Sequence, residues 1–415
     1  MFDYDKWQEI LSTIRKNKLR TILTILGISW GIFMIVILLG AGNSFHDGVT
    51  KQFGGWATNS GFLWSQRTTI SYHGFKPGRR YQFDNSDTKM LLARVKELQY
   101  LAPRNRLGGW RGGNNVVRNN KTGAFNINGD VPEFNKIQIN IIERGRFLNR
   151  KDIDDERKVA VIGENVRNIL FEEDEDPIGQ YITINKVNFM VVGLIKPIKK
   201  DHEGEDQNTI HVPFTTFQKA FNYGDNVGWY AYNIYDGYRV SEVEEKIVRL
   251  LKEKNDIHPL DEDGIGHFNL QKEFEEINGM FAGLNYFTWF VGISTLFAGI
   301  IGVSNIMLII VKERTKEIGI RKSLGATPLS IISLILQESV FLTFIGGYFA
   351  LVLGIVILEA VGHVIPPDAM FAPPGVEPAI ALTALGILIV GGVIAGILPA
   401  TKAASISPIE AIRNE

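Results

Sequence analysis

The chain has no cysteine among its 415 residues. Disulfides, thiolate-ligated zinc, iron–sulfur clusters and thiol catalysis are therefore excluded. No Gly-Lys dipeptide occurs, so there is no G-x-x-x-x-G-K-S/T loop to cradle a nucleotide. H-E-x-x-H is also missing, and the seven histidines (His46, His73, His202, His211, His258, His267, His363) form no close-spaced ligand pair. No metal site and no hydrolase nucleophile elbow are read in the sequence. The acidic runs at 152–156 and 172–176 are expected to be solvated loops rather than cation sites. With 44 Lys+Arg against 45 Asp+Glu, the chain lacks the basic excess of a nucleic-acid binder.

Charge is also absent locally. No charged residue lies between Arg20 and His46, and 277–311 is an uncharged run of 35 residues. The stretch 327–358 carries only Glu338, and 378–401 carries no charge. A helix needs roughly 20 apolar residues to cross the hydrocarbon layer. All four runs qualify, which predicts four spanning helices. The first is read as an uncleaved anchor, because it is long for a signal-peptide core and follows a basic segment.

The flanking cations predict orientation. Lys6, Arg15, Lys16, Lys18 and Arg20 precede the first span; Lys312, Arg314, Lys316, Arg321 and Lys322 separate the second from the third; Lys402 and Arg413 follow the fourth. The 359–378 loop has neither Lys nor Arg. Positive loops stay in the cytoplasm, so both termini and 312–327 are expected inside, and the segment between the first two spans outside.

The cytoplasmic pieces are expected to be helical. Trp7, Ile10, Leu11 and Ile14 share one face of an amphipathic helix over 4–19, suited to the bilayer interface. In 312–328, Glu317 and Arg321 stand four apart in the favourable order. Gly325 can close that helix, and Thr327 with Pro328 can open the next. Ser407 and Glu410 form a capping box for a terminal helix. Glu338, the single ionisable group deep in a span, is read as a structural group near mid-membrane that bonds a neighbouring helix or stays protonated.

The outer segment reads as α+β. Strands are expected over 159–163, 180–184 and 187–194, and helices over 165–171 and 241–254, the latter opened by a Ser241/Glu244 capping box. Glycine-rich 54–61 and 108–113 read as loops. Without strong breakers at 45–53 or 270–282, both flanking spans are expected to continue outward as a helical stalk. The predicted organisation is thus: 1–20, an N-terminal helix; 21–43, the first span; 44–283, the extracytoplasmic domain with stalk helices; 284–311, the second span; 312–327, a cytoplasmic loop and helix; 328–358, the third span; 359–378, a short outer loop; 379–400, the fourth span; and 401–415, a C-terminal helix. Glycines along the spans (Gly27, Gly31, Gly299, Gly302, Gly346, Gly347, Gly354, Gly391, Gly392, Gly396) are expected to allow close helix packing.

EIGIRKSLGATP at 317–328, the following Gln337-Glu338 and Gly346-Gly347, and the ending LPATKAASISPIEAIRNE closely resemble the permeases of MacB/FtsX-type ABC transporters. WQEILSTIRKNKLRTILTILGISWGI, IERGRFLNRKDI, VAVIGENVRNILF and INKVNFMVVGLIK resemble the same family in the same order. The resemblance implies a non-catalytic, four-helix permease of the inner membrane with a MacB-type periplasmic domain. It implies a second permease, identical or a sister chain, and a pair of ATPase subunits that bind ATP and magnesium; this chain would hold no cofactor. The coupling segment would be 312–326: Lys312, Glu313, Arg314, Glu317, Ile318, Gly319, Arg321, Lys322, Gly325 and Ala326, with the charges meeting the ATPase surface and Gly319 allowing close helix packing. MacB carries a fused ATPase, whereas this chain starts almost at its first span, so a separate ATPase is expected. Export would imply a periplasmic adaptor and an outer-membrane channel; LolC/LolE-like extraction, a lipoprotein carrier. The alternative function is FtsX-like activation of a cell-wall hydrolase.

Overall fold

The computed structural model describes residues 18–52, 55–108, 113–197, 207–365 and 378–407. Residues 4–17 of the expected N-terminal helix and the helix expected after Ser407 lie outside the described residues, as do His202 and most of 108–113. The chain divides into two compact units, 50–278 and the combination of 1–49 with 279–415.

The second of these units is helical. Its elements are α1 (Lys18–Gln52), α8 (Leu270–Glu313), α9 (Thr315–Ser323), α10 (Pro328–Val364) and α11 (Pro378–Ala404), with α1 and α8 each crossing the boundary between units. Four of these helices contain stretches long and apolar enough to cross a membrane: Ser29–Thr50, Leu270–Glu313, Pro328–Val364 and Leu382–Ala404. The helices outrun the expected spans at nearly every end, because nothing in the adjoining sequence stops them. At 44 residues, α8 rises about 66 Å, roughly twice the thickness of the hydrocarbon layer.

Close approach holds these helices together. A Cβ on Gly392 would stand 2.2 Å from Thr343 Oγ1 and one on Gly396 2.9 Å from Ser339 Cβ, so α11 crosses α10 where only glycine fits. Ser339 Oγ donates to the Gly392 carbonyl at 2.9 Å, and Ser29 Oγ to the Gly346 carbonyl at 2.7 Å. Ser29 lies in a G-x-S-x-G string, Gly27 to Gly31. The string sits inside continuous helix and its serine is spent on a carbonyl, so it forms no strand-to-helix nucleophile elbow. The packing role expected of the span glycines is uneven: Gly27 and Gly302 have open space where a side chain would be.

The other unit is α+β with two main cores. One gathers Leu63, Phe83, Leu101, Phe134, Tyr230 and Ile247; the other gathers Val116, Phe125, Ile162, Ile184, Phe189 and Ile210. β5 (Lys121–Asp130) contributes Phe125 and Ile127 to the second core. It pairs antiparallel with β4 (Asn114–Arg118) and parallel with β10 (Thr209–Pro213). β10 pairs with β7 (Val159–Gly163), β7 with β9 (Val187–Pro197), β9 with β8 (Tyr181–Ile184), and β8 with β4. These pairings close a ring of strands, which leaves no free edge within it. β3 (Leu98–Arg106), β12 (Trp229–Ile234), β1 (Ser60–Ser65) and β13 (Ile265–Asn269) extend from β5 as an antiparallel sheet. The expected loop at 54–61 therefore runs into a strand at Ser60.

Two local expectations are corrected. Helix Val240–Lys254 starts without a side-chain cap. Ser241 Oγ instead accepts from Asn269 Nδ2 at 3.2 Å, while Glu244 binds the Tyr232 hydroxyl at 3.1 Å and His267 at 2.9 Å. Tertiary partners outcompeted the local cap. The acidic run at 152–156 is not uniformly solvated either, because Asp152 is fully buried. It closes a capping box with Asn149 and pairs with Arg146 Nη1 at 2.5 Å and Nη2 at 3.0 Å.

Candidate coupling site

The segment 312–328 folds as its local signals require. Helix α9 spans Thr315–Ser323, and Arg321 Nη2 donates to Glu317 Oε1 at 2.9 Å, one turn back. Gly325 adopts a φ of 95°, a region in which a side chain would be strained. Its turn is closed by the Ala326 amide donating to the Arg321 carbonyl at 3.0 Å. Thr327 then caps α10, accepting from the Ser330 amide, with Pro328 in the first turn. Ile318 and Gly319 are buried, Ile318 within the core of the helical unit.

The sequence did not show where the charges go. Arg314 stands just before α9 and forks: Nε and Nη2 donate to the two Glu317 oxygens, each at 3.0 Å, while Nη1 reaches Glu338 Oε2 at 3.3 Å. Glu338 is only 2% exposed. Glu338 thus has a charged partner at the turn between α8 and α9. At the other end of α9, Lys322 Nζ donates to the Ala404 carbonyl at 2.8 Å and the Ile406 carbonyl at 2.7 Å, where α11 ends. A cation there completes orphan carbonyls and matches the helix dipole. Arg314 and Lys322 are therefore both engaged within the chain.

Apolar side chains take the projecting positions. Leu324 is 84% exposed, Leu329 75% and Ile320 46%. Lys312, Glu313 and Lys316 are also exposed.

Two further constellations were missed by sequence reading. In the α+β unit, Asp130 lies between Arg104 Nε at 2.8 Å and His211 Nδ1 at 2.6 Å. The three are buried and come from different strands, so no motif could join them. In the helical unit, an apolar groove of about 550 Å³ opens between α1 and α8, lined by Leu26, Gly27, Trp30, Ala298, Gly302 and Ile306 among others. The glycines with open space belong to its lining. Among the described residues, no group of three or more His, Asp or Glu side chains is placed to hold a metal ion.

Residues 21–250 match the MacB-like periplasmic core domain, and residues 289–408 match the FtsX-like permease C-terminal domain. The pyoverdine export ATP-binding/permease protein PvdT of Pseudomonas entomophila is 31% identical over 407 residues, which is 96% of this chain and 58% of that protein. The macrolide export ATP-binding/permease protein MacB of Bdellovibrio bacteriovorus is 28% identical over 408 residues, 97% of this chain and 60% of its own length. The chain thus spans about three-fifths of the length of these relatives. The crystal structure of the periplasmic region of MacB from Actinobacillus actinomycetemcomitans is similar with a TM-score of 0.44 at 20% identity, over 55% of this chain and 97% of that one. With its core-domain match covering more than half of the sequence, and the FtsX-like match following it, this chain belongs to the MacB-like ABC transporter permease family.

Proposed function

We propose that the chain is the transmembrane part of an ABC machine that exports or extracts substrate from the cell envelope, driven by an ATPase that docks on the α9 segment. The reading places the chain in the inner membrane, with α9 cytoplasmic and the α+β unit periplasmic. These 415 residues contain no phosphate loop, so ATP and magnesium are assigned to the ATPase. The observation that carries the reading is the α9 segment itself, a short helix turned at Gly325 and capped at Thr327 with exposed leucines at its tip. Such a rigid, apolar-tipped element suits the transfer of a mechanical stroke.

In this reading the uninterrupted α1 and α8 serve as the stalk that relays motion outward, and the groove between them receives the second permease. Small residues in such a groove let another helix approach closely. Cargo is handled by the α+β unit, which is where an adaptor with its outer-membrane channel, or a lipoprotein carrier, would bind.

The test is a mild-detergent purification of tagged chain from native membranes, with mass spectrometry and an ATP-hydrolysis assay. Wild type should bring down an ABC ATPase, and Leu324→Asp should lose it while remaining folded, because that side chain is almost wholly exposed. Equal recovery of ATPase with both, or recovery with neither, refutes docking at α9.

A further inference from the structure

The fastening of α9 at its two ends extends the coupling reading, and it rests on that reading only for its functional meaning. Arg314, at the N-terminal edge of α9, reaches Glu338 on α10 at 3.3 Å. Lys322, in its last turn, reaches two carbonyls at the end of α11 at 2.8 and 2.7 Å. Between the two polar fasteners, Ile318 packs in one core with Ile331, Ile335, Ala400 and Ala403. A helix of 9 residues is too short to hold its own shape in water, where isolated helices need roughly 12–15 residues or more. Its geometry therefore depends on what it is fixed to.

We propose that Arg314 and Lys322 are positioning residues that fasten α9 to α10 and α11, so that the three move as one body and a push on the tip of α9 is delivered to both helices together. Glu338 is the buried anchor of this arrangement, not a group on a substrate or proton path. Its carboxylate is deeply buried and faces a guanidinium from the cytoplasmic segment. Arg314 also grips Glu317, which in turn holds Arg321, so a chain of charge-assisted contacts runs from α10 through the length of α9. Docking is left to the apolar tip, Ile320, Leu324 and Leu329, because the fastening cations are turned inward.

The natural chain has no cysteine, so pairs of introduced cysteines report distances without background. Spin labels at Lys316→Cys with Ser333→Cys measure α9 against α10, and labels at Ser323→Cys with Ser405→Cys measure α9 against α11. The full chain in lipid nanodiscs should give narrow distributions for both pairs. Glu338→Gln should broaden the first, and Lys322→Met, which keeps the stem and removes the cation, should broaden the second. Exchanging charges in Arg314→Glu/Glu338→Arg should recover part of the first narrowing, an effect that mere loss of folding would not produce. In the tagged purification, Lys322→Met should retain the ATPase but lose permease-dependent stimulation of hydrolysis.

Unchanged distance distributions in Glu338→Gln and Lys322→Met would overturn the proposal, as would loss of bound ATPase in Lys322→Met with its distance distribution intact. Absence of ATPase even from wild type refutes docking at α9. The two distance measurements still decide whether the fasteners hold.

Discussion

At the scale of single residues, buried carboxylates give the clearest expectations. Asp152 is fully buried, closes a helix cap and pairs with Arg146. Asp152→Ala removes the reciprocal bond of the capping box and leaves the Arg146 guanidinium without its carboxylate partner, which should cost about 2–4 kcal/mol. The thermal midpoint of the full chain in detergent checks it. Burial would raise the Asp152 carboxyl, but hydrogen bonds from Arg146 and the Asn149 amide, with the Arg146 and Arg157 charges, outweigh it and hold the pKa below the usual range. Burial likewise opposes ionisation at Asp84, yet Ser86, Lys254 and the Asp87 amide bring its pKa from 3.8 down to about 2. Both groups hold protons less tightly when folded than when unfolded. Their contribution is therefore complete above an unfolded value of about 3.9 and is lost as pH falls through the folded values. Thermal midpoints should drop between about pH 4 and pH 2. Asp84→Asn and Asp152→Asn should each flatten that drop, whereas an unchanged slope would contradict the assignment.

At the scale of elements, the crossing of α10 and α11 is limited by backbone approach. Gly392→Val would force a branched side chain into the 2.2 Å gap to Thr343 Oγ1, at a cost of about 1–3 kcal/mol. Gly27→Ala meets nothing within 4 Å and should leave the midpoint unchanged, so the pair separates crowding from the general effect of replacing glycine. The α9–α10 corner should respond to its cap. Thr327→Ala removes the acceptor for the Ser330 amide and should cost about 1 kcal/mol, read as the same midpoint shift. These elements were legible in advance because their signals are local. Glu317 and Arg321 lie one turn apart, and Gly325, Thr327 and Pro328 follow in order. The expected cap at Ser241 failed for the converse reason: Asn269, Tyr232 and His267 are remote in sequence and offered its two members better partners.

At the scale of the whole molecule, the charge bias of the loops predicts that α9 and the α+β unit lie on opposite sides of the membrane. Single cysteines test this in intact cells with a membrane-impermeant maleimide given access to the periplasm. Lys89→Cys, exposed on the α+β unit, should label, and Ser323→Cys should label only after the inner membrane is broken. The reverse pattern would invert the orientation and remove the basis for a cytoplasmic ATPase at α9.

The four apolar helices and the α9 corner were set by the sequence alone. Hydropathy and helix capping act between residues a few positions apart, and the chain needs no further contact to express them. The path of the strands and the use of the charges were decided by tertiary structure. β5 closes its ring with β10 some 80 residues later, and Arg104, Asp130 and His211 meet only because three strands converge. Glu338 was visible as an isolated charge in an apolar run, yet its meaning came from Arg314, brought to it by the fold of α9 against α10. A carboxylate in an apolar run can be solvated or buried with a partner. Which of these holds depends on the free energy of contacts with residues that no local pattern names.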